Sequence, residues 1–369
     1  MVDTELLTTL SSNFTYGNER SVDDIATSVT EDNLTERILT CLKIYITPGI
    51  AVAGIIGNVV SCVFLLGSKL RTFSSSHYLS SLILANSFYL IDYLIKWLNI
   101  HDINLRGQPE FCQVMNFLEN VSAFLSNWFM VTYCVDRYIC MAWPMEAARM
   151  CNRTRARVVI ACVIIVATIL HFNMSITMAV PEYGFQKRCM VQLHPLVNPR
   201  LKMAVDMIFN IAIPYFCCLV IVTIIGIHSC TKRRDVYSDD SNRSLLQCTT
   251  LALLISYVVL HLPYEFYRIV FITRAVTTAH AKRPAPLEYV VQAFLSHFFR
   301  LGMATHLVVL LGTYPLFRTY CKQSLVSKGR SLLELCKCFR KGTRKCRSSD
   351  IEMTYTEVNG EADASISKC

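Results

Sequence analysis

Charged residues are scarce in this sequence. Only 17% of its 369 residues are Asp, Glu, Lys or Arg, whereas 53% are hydrophobic. A soluble domain normally has about a quarter of its residues charged. The shortage of charge argues against a purely water-soluble protein and indicates extensive contact with a lipid bilayer.

Motifs typical of enzymes and metal sites are also missing. The sequence contains no glycine-rich phosphate loop, no HExxH motif and no nucleophile elbow. Its 17 cysteines include no two CxxC pairs at zinc-finger spacing. We therefore predict a protein without catalytic activity, cofactor or metal. The alternative left open is a metal site among His261, His297 and His306, which lie in apolar stretches.

The basic residues are not distributed as in a nucleic-acid-binding protein. The formal net charge is +9, but the positive charges are concentrated in particular loops and in the C-terminal tail, without an aromatic-lined groove. We expect no nucleic-acid partner. The segment 1–43 is instead polar and acidic, and it lacks the pattern of a cleavable signal peptide. Asn13 and Asn33 begin glycosylation sequons, which would be used if this segment is extracellular.

Long apolar stretches occupy most of the remaining chain. About 20 apolar residues cross a bilayer as a helix, and these continuous stretches lack the alternation of barrel strands. The predicted fold class is an all-α membrane protein, a seven-transmembrane helix bundle over residues 44–313. The predicted first to seventh spans are residues 44–68, 77–99, 112–138, 157–180, 202–229, 246–273 and 288–312. A transporter, the other membrane alternative, would usually contain repeated halves, and none is apparent.

Basic residues predict the orientation of the bundle. Lys69 and Arg71 follow the first span, four arginines follow the third, and Lys232, Arg233 and Arg234 follow the fifth. With seven crossings these residues all lie on one side, which the positive-inside rule assigns to the cytoplasm. We therefore expect a multi-pass plasma-membrane protein with an extracellular N-terminus.

The segments after the seventh span predict a cytoplasmic end. Residues 314–325 are typical of a short amphipathic eighth helix along the membrane, and residues 326–369 of a basic, then polar, disordered tail. Cys336 and Cys338 in this tail are candidates for palmitoylation, or are inert thiols. Serines and threonines near the end are candidates for phosphorylation that recruits arrestin.

A short polar motif ends the third span. It reads Asp136-Arg137-Tyr138, and Pro144 follows in the next loop. This arrangement resembles the DRY motif and loop proline of rhodopsin-like (class A) G-protein-coupled receptors. Further residues at family-like positions are Gly57-Asn58, Leu82-Ile83-Leu84-Ala85-Asn86, Pro214 and Leu262-Pro263. The resemblance covers roughly residues 44 to 325 and implies a heterotrimeric G protein as partner.

The resemblance also implies a disulfide bond. Cys112 stands where the family keeps the extracellular cysteine of its third helix, and Cys189, in the loop after the fourth span, is the natural partner. Such a pair would lie on the oxidising side of the membrane, where disulfides persist. The alternative is that both are unpaired thiols.

Several positions of the family's activation switch are changed. Asn86 replaces an aspartate that binds sodium, His261 replaces a tryptophan shortly before Pro263, and His306 begins the segment that usually reads NPxxY. Asn58, Asn86 and Ser126 are still expected to hydrogen-bond. The resemblance thus implies switch residues at Asn58, Asn86, His261, Pro263 and His306, with a nonstandard switch or weak coupling.

Ionisable residues in the outer halves of the spans predict a ligand site. Such residues are expensive to bury in a membrane and usually face the bundle interior. They are Asp92, Lys96, Glu119, Glu265, Arg268, His297 and Arg300. One interpretation pairs Asp92 with Lys96 and Glu119 with Arg300, and the other leaves charges for a polar ligand. We favour a mixture, in which Glu119 pairs with Arg300 while Glu265 and Arg268 contact the ligand.

A peptide is the ligand class that these residues favour. The cavity has both charge signs, and the stretch from Tyr264 to Arg268 looks like helix six of neuropeptide receptors. An amine or other small molecule is the alternative, because Glu119 stands where amine receptors keep an aspartate. Arg300 stands where opsins keep the retinal lysine and cannot form that Schiff base. The predicted G-protein contacts are Asp136, Arg137, Tyr138, Lys232 and Arg233.

Overall fold

A computed structural model describes most of the predicted spans. The described residues are 37–67, 69–98, 103, 105–176, 178–179, 189–191, 199–235, 241–277 and 286–324. The predicted glycosylation sites Asn13 and Asn33, and the predicted palmitoylation sites Cys336 and Cys338, lie outside these residues. They remain predictions.

The described part of the chain consists almost entirely of helices. In chain order they are α1 (Arg37–Gly67), α2 (Ser74–Leu98), α3 (Pro109–Ala142), α4 (Pro144–Met150), α5 (Arg153–Ile176), α6 (Pro199–Asp206), α7 (Ile213–Asp235), α8 (Ser241–Thr277), α9 (Pro286–Ala304), α10 (His306–Thr313) and α11 (residues 315–324). The first four spans are α1, α2, α3 and α5. A π-helical segment, Met207–Ala212, joins α6 and α7 into the fifth span, α8 is the sixth, and α9 with α10 form the seventh.

Most of these helices are long and apolar enough to cross a membrane. The first, second, fourth, fifth and sixth spans meet this condition individually, and the seventh meets it as two helices bent by 50°. The third span is longer, at 34 residues, and would extend about 50 Å. It is less apolar because many of its polar residues point into the bundle, among them Asn116, Asn120 and Asn127. The predicted all-α membrane fold is confirmed.

The first span places polar side chains inside the bundle and apolar side chains on its outer face. On the first span, Ile56, Val59 and Val63 are more than half exposed, whereas Asn58 and Ser61 are fully buried. This arrangement is the opposite of a soluble protein, because the surroundings of the outer face are lipid tails rather than water. The exposed apolar face is therefore the expected lipid contact.

The third span lies at the centre of the bundle. It packs against the second, fourth, fifth and sixth spans. The main apolar core combines residues from these helices, including Leu82, Phe129, Tyr215 and Leu253. A side chain on the third span can thus contact most of the other helices, which explains why both ends of this helix contain functional candidates.

Two short strands and a disulfide bond define the outer loop. β1 (Met178–Ala179) pairs antiparallel with β2 (Met190–Val191) after the fourth span. Cys189, which immediately precedes β2, forms a disulfide with Cys112 at the start of the third span, and their Cα atoms are 5.6 Å apart. The predicted disulfide is confirmed. It fixes this hairpin to the outer end of the third span.

Several helices extend beyond the predicted spans. The first span is already helical at Arg37 rather than at residue 44, and the sixth covers Ser241–Thr277 rather than 246–273. Hydropathy detects only the apolar part of a helix, so polar turns outside the bilayer are missed. The short helix α4 was not predicted for the same reason.

The predicted eighth helix is helical over residues 315–324. Phe317 is buried and packs edge-to-face on Phe64 of the first span, with ring centroids 5.9 Å apart. Arg318 and Lys322 are exposed. One apolar and one basic face is the pattern of a helix lying on a membrane surface.

Candidate functional site

Two carboxylates surround one ammonium group near the outer end of the second span. The Lys96 Nζ lies 3.0 Å from an Asp92 carboxylate oxygen one turn earlier, and it also forms an ion pair with Glu119 of the third span. Both acids are buried, and Lys96 is only partly exposed. The predicted Asp92–Lys96 pair is confirmed. Glu119 was expected to pair with Arg300, but Lys96 is long enough to reach it from the neighbouring helix.

Arg300 of the seventh span is among the most buried side chains described. Its guanidinium donates a 2.7 Å hydrogen bond to Ser296 Oγ, and its central carbon lies 3.7 Å from the centroid of the Tyr93 ring. A cation stacked on an aromatic face is stabilised by the ring's quadrupole. The Glu119–Arg300 pair stays a prediction beside these contacts.

His297 links three spans through hydrogen bonds. Its Nε2 lies 3.1 Å from the Tyr93 hydroxyl and 3.3 Å from the Thr47 hydroxyl, and its Nδ1 lies 2.6 Å from the Ala293 carbonyl. Tyr93 therefore contacts both His297 and Arg300. Thr47 and Tyr93 could not be predicted as site residues, since a tyrosine or threonine in an apolar span gives no signal of its own in the sequence.

Glu265 and Arg268 form an ion pair on the sixth span. The Arg268 Nη1 lies 3.2 Å from a Glu265 carboxylate oxygen, at the i,i+3 spacing that brings side chains together on a helix. Glu265 is buried, and the guanidinium of Arg268 lies 5.9 Å from the Tyr264 ring centroid. Their predicted role as ligand contacts stays a prediction, and a ligand would have to compete with this pair.

Deeper in the bundle, the predicted switch residues lie in a polar layer. Ser126 Oγ donates a 2.6 Å hydrogen bond to Asn86 Oδ1, as predicted. Asn58 Nδ2 donates to the Met303 carbonyl at 3.2 Å, and His306 Nδ1 lies 3.2 Å from the same carbonyl. The backbone of the seventh span at Met303 is thus the point where Asn58 and His306 meet.

His261 packs where the family usually has tryptophan. Its ring lies 4.4 Å from the Tyr257 ring and 4.7 Å from the Phe299 ring, centroid to centroid. It also covers Gly302 so closely that a Cβ at that position would overlap the imidazole. The small glycine on the seventh span therefore makes room for the histidine on the sixth.

The seventh span bends without a proline. The break lies at Thr305, between Ala304 and His306, and the Thr305 hydroxyl donates a 3.1 Å hydrogen bond to the Gly302 carbonyl. A threonine hydroxyl that bonds back to its own helix commonly bends it. The seventh span is therefore bent at a threonine, one residue before His306.

The π-helical segment of the fifth span is part of a polar cluster that the sequence does not predict. Residue 214 is proline and has no N–H, so the Asn210 carbonyl lacks its α-helical donor. Asn127 Nδ2 donates to this carbonyl at 2.7 Å, and Tyr257 Oη donates to Asn127 Oδ1 at 2.6 Å. Trp128 Nε1 similarly donates to the Phe209 carbonyl at 3.1 Å. We call Asn127, Asn210 and Tyr257 the central clamp, because they join the third, fifth and sixth spans.

The arginine of the DRY motif is held inside the bundle. Arg137 Nη2 lies 2.6 Å from Asp136 Oδ2, and Ser74 Oγ donates a 2.7 Å hydrogen bond to Asp136 Oδ1. Arg137 and Asp136 are both buried. Tyr138 packs edge-to-face on Trp143, with ring centroids 5.5 Å apart. Lys232 and Arg233 lie near the end of α7, and their side chains are outside the described part of the structure.

Two thiols lie beside this ion pair. Arg137 Nη2 is 3.6 Å from Cys140 Sγ, and Cys151 Sγ donates to the Asp136 carbonyl at 3.6 Å. Burial and the neighbouring Asp136 carboxylate raise the pKa of the Cys151 thiol. The thiol is therefore protonated at neutral pH unless a cation stabilises its thiolate.

Comparison with known families gives an independent result. The family of 7 transmembrane receptors (rhodopsin family) matches residues 57–308, which is more than half of the chain. A comparison with individual characterised proteins found no match. Receptors of this family are multi-pass plasma-membrane proteins that signal through G proteins, and they are not enzymes. Together with the bundle, the disulfide and the buried DRY motif, the match shows that this chain belongs to the rhodopsin family of seven-transmembrane receptors.

Proposed function

We propose that this receptor binds a peptide in the outer half of its bundle and activates a heterotrimeric G protein at its cytoplasmic face. The supporting observation is the balance of charge in the outer half. Three acids and three bases lie there on four spans: Asp92, Glu119, Glu265, Lys96, Arg268 and Arg300. A peptide presents both charge signs along its backbone termini and side chains, so it can exchange partners with such pairs.

The position of Lys96 disfavours a simple amine ligand. An amine would need a carboxylate, and Glu119 is the acid that resembles the one used by amine receptors. In the structure the Lys96 ammonium already contacts Glu119. An amine ligand would therefore have to displace the Lys96 ammonium, which belongs to the protein and stays nearby. This competition reduces the electrostatic energy that the amine gains on binding.

An extracellular N-terminus and a cytoplasmic C-terminal tail are part of the same proposal. With the N-terminus outside, Asn13 and Asn33 can be glycosylated, and Cys336, Cys338 and the distal serines and threonines lie in the cytoplasm. There they would be accessible to palmitoylation and to phosphorylation that recruits arrestin. The acidic N-terminal segment would attract a basic peptide.

The test is a calcium and cAMP response in cells that express the receptor, screened against neuropeptide and amine libraries. A dose-dependent response to a peptide is expected, and it should be reduced in Arg300→Gln because the buried cation contributes to the cavity. Lys322→Gln on α11 is the matched control, since it removes an exposed cation far from the outer cavity. A response to amines alone, enhanced in Lys96→Gln, would favour the amine alternative.

A receptor of the same fold that couples weakly is the second candidate. The Asp136–Arg137 pair is intact, whereas the tryptophan and NPxxY residues are replaced by His261 and His306. Saturable binding of a peptide to surface-expressed receptor, without calcium, cAMP or nucleotide-exchange responses, would support this candidate. Peptide-stimulated exchange would contradict it.

A further inference from the structure

A cluster of potential metal ligands lies at the cytoplasmic end of the third span. A carboxylate oxygen of Asp136 and the sulfur atoms of Cys140 and Cys151 all lie within 4.8 Å of one another. Cys140 follows Asp136 by one helical turn, so both lie on the same face of the helix. Cys151 immediately follows α4, and this short helix brings the Cys151 thiol back against the third span.

These three groups suit a soft divalent cation. Zn²⁺ commonly binds cysteine thiolates and carboxylates, and three protein ligands leave a fourth tetrahedral position for water. Thiolates favour Zn²⁺ over the hard cations Mg²⁺ and Ca²⁺. Asp136 is buried, and the two cysteines are partly buried, so the site is shielded and yet accessible from the cytoplasmic side.

Another cation already occupies the edge of this cluster. Arg137 Nη2 lies 2.6 Å from Asp136 Oδ2 and 3.6 Å from Cys140 Sγ. The guanidinium and a metal ion would therefore use the same carboxylate and the same sulfur. The Arg137 guanidinium and a metal ion would repel each other in this space. Binding of the metal therefore weakens the attachment of Arg137 to Asp136.

We propose that Asp136, Cys140 and Cys151 bind Zn²⁺, and that the metal displaces Arg137 from Asp136. On binding, each thiol loses one proton to solvent, and the two thiolates and the carboxylate coordinate the ion. Arg137 is then released toward the G-protein surface. Metal binding is independent of the proposed ligand, whereas its effect on nucleotide exchange rests on the proposed coupling through Arg137.

Absorption spectroscopy of Cd²⁺, a spectroscopic substitute for Zn²⁺, tests the site directly. The purified full-length receptor would have its tail cysteines replaced by serine, so that they do not bind metal. This background, and the same background with Cys162→Ser, should show a thiolate-to-Cd²⁺ charge-transfer band that Zn²⁺ removes by competition. Cys162 is an exposed cysteine of the fourth span and serves as the matched control. The band should be lost in Cys140→Ser/Cys151→Ser, and an unchanged band there would overturn the proposal.

A second measurement avoids any variant that fails to fold. The receptor with its natural sequence is treated with a thiol-alkylating reagent with and without Zn²⁺, and labelling of each cysteine is followed by mass spectrometry. Zn²⁺ should slow labelling of Cys140 and Cys151 and leave Cys162 unchanged. If Zn²⁺ does not change the labelling rate of Cys140 or Cys151, the site is excluded.

Nucleotide exchange on a reconstituted G protein separates binding from its consequence. If Arg137 is displaced, Zn²⁺ should raise basal exchange in the serine-tail background and have no effect on the Cys140→Ser/Cys151→Ser variant. In a receptor that is shown to stimulate exchange, a normal Cd²⁺ band with no effect of Zn²⁺ on exchange would leave the metal site in place and contradict the displacement of Arg137. Peptide responses are measured in parallel, so that failure of the ligand proposal is recognised separately.

Discussion

At the scale of single residues, the charge balance in the outer half of the bundle depends on Lys96. This ammonium lies between Asp92 and Glu119, which are both buried. Without it, two carboxylates would remain close together in a medium of low polarity, where an unpaired charge is costly. Lys96 therefore has a structural role that precedes any contact with ligand.

Lys96→Gln is expected to destabilise the receptor by roughly 3 kcal/mol, at the lower end of the range for breaking a buried ion pair because Lys96 is partly exposed. Thermal unfolding of purified receptor measures this change. Adding Glu119→Gln should recover part of the loss, since one uncompensated carboxylate is removed. Lys322→Gln on α11 is the control, and an equal effect of both lysine substitutions would contradict the central role of Lys96.

Gly302 and His261 form a second residue-scale feature. A Cβ at Gly302 would overlap the His261 ring, whereas a Cβ at Gly312 on the same span would meet nothing within 4 Å. Gly302→Ala is therefore expected to cost about 1–3 kcal/mol by overpacking, and Gly312→Ala little. Combining Gly302→Ala with His261→Ala should remove the clash. Equal melting temperatures for Gly302→Ala and Gly312→Ala would show that His261 does not pack tightly against Gly302.

At the scale of helices, the central clamp joins the third, fifth and sixth spans. The proline at 214 leaves the Asn210 carbonyl without its helical donor, and the Asn127 side chain replaces that donor. Tyr257 completes the clamp from the sixth span, one turn before His261. The central clamp therefore connects the π-helical segment of the fifth span to the part of the sixth span next to His261.

Asn127→Ala should destabilise the bundle by about 1–3 kcal/mol, because it removes the buried hydrogen bonds that Asn127 makes with the Asn210 carbonyl and the Tyr257 hydroxyl. Thermal unfolding provides the measurement, with Thr223→Ala on the exposed face of the fifth span as control. The effects of Asn127→Ala and Tyr257→Phe should be non-additive, since both remove the same hydrogen bond. Strict additivity would show that the two residues act independently.

At the scale of the whole molecule, the helical architecture could be predicted from the sequence alone. Seven apolar stretches, basic loops and the spacing of Cys112 from the DRY motif predicted the bundle and the disulfide, because each depends on local composition or on a family pattern. The Asn86–Ser126 bond was foreseen on the same basis. These features need no knowledge of how individual side chains pack.

The features that were missed depend on tertiary contacts. Asn127 and Asn210 each lie within an apolar stretch, and their meeting depends on how the third and fifth spans are aligned. Lys96 was assigned to one partner, whereas its length lets it reach a second on a neighbouring helix. The approach of Cys151 to Asp136 requires helix α4, which hydropathy does not detect.

We propose that this receptor signals through Arg137, and basal nucleotide exchange tests this proposal without knowledge of the ligand. Asp136→Asn removes the charge that holds the guanidinium, while Arg137 itself is retained. The measurement is the rate of nucleotide exchange on a reconstituted G protein, at matched amounts of receptor. We expect a higher basal rate for Asp136→Asn and loss of that increase in Asp136→Asn/Arg137→Ala. Identical rates for the unmodified receptor and both variants would contradict it.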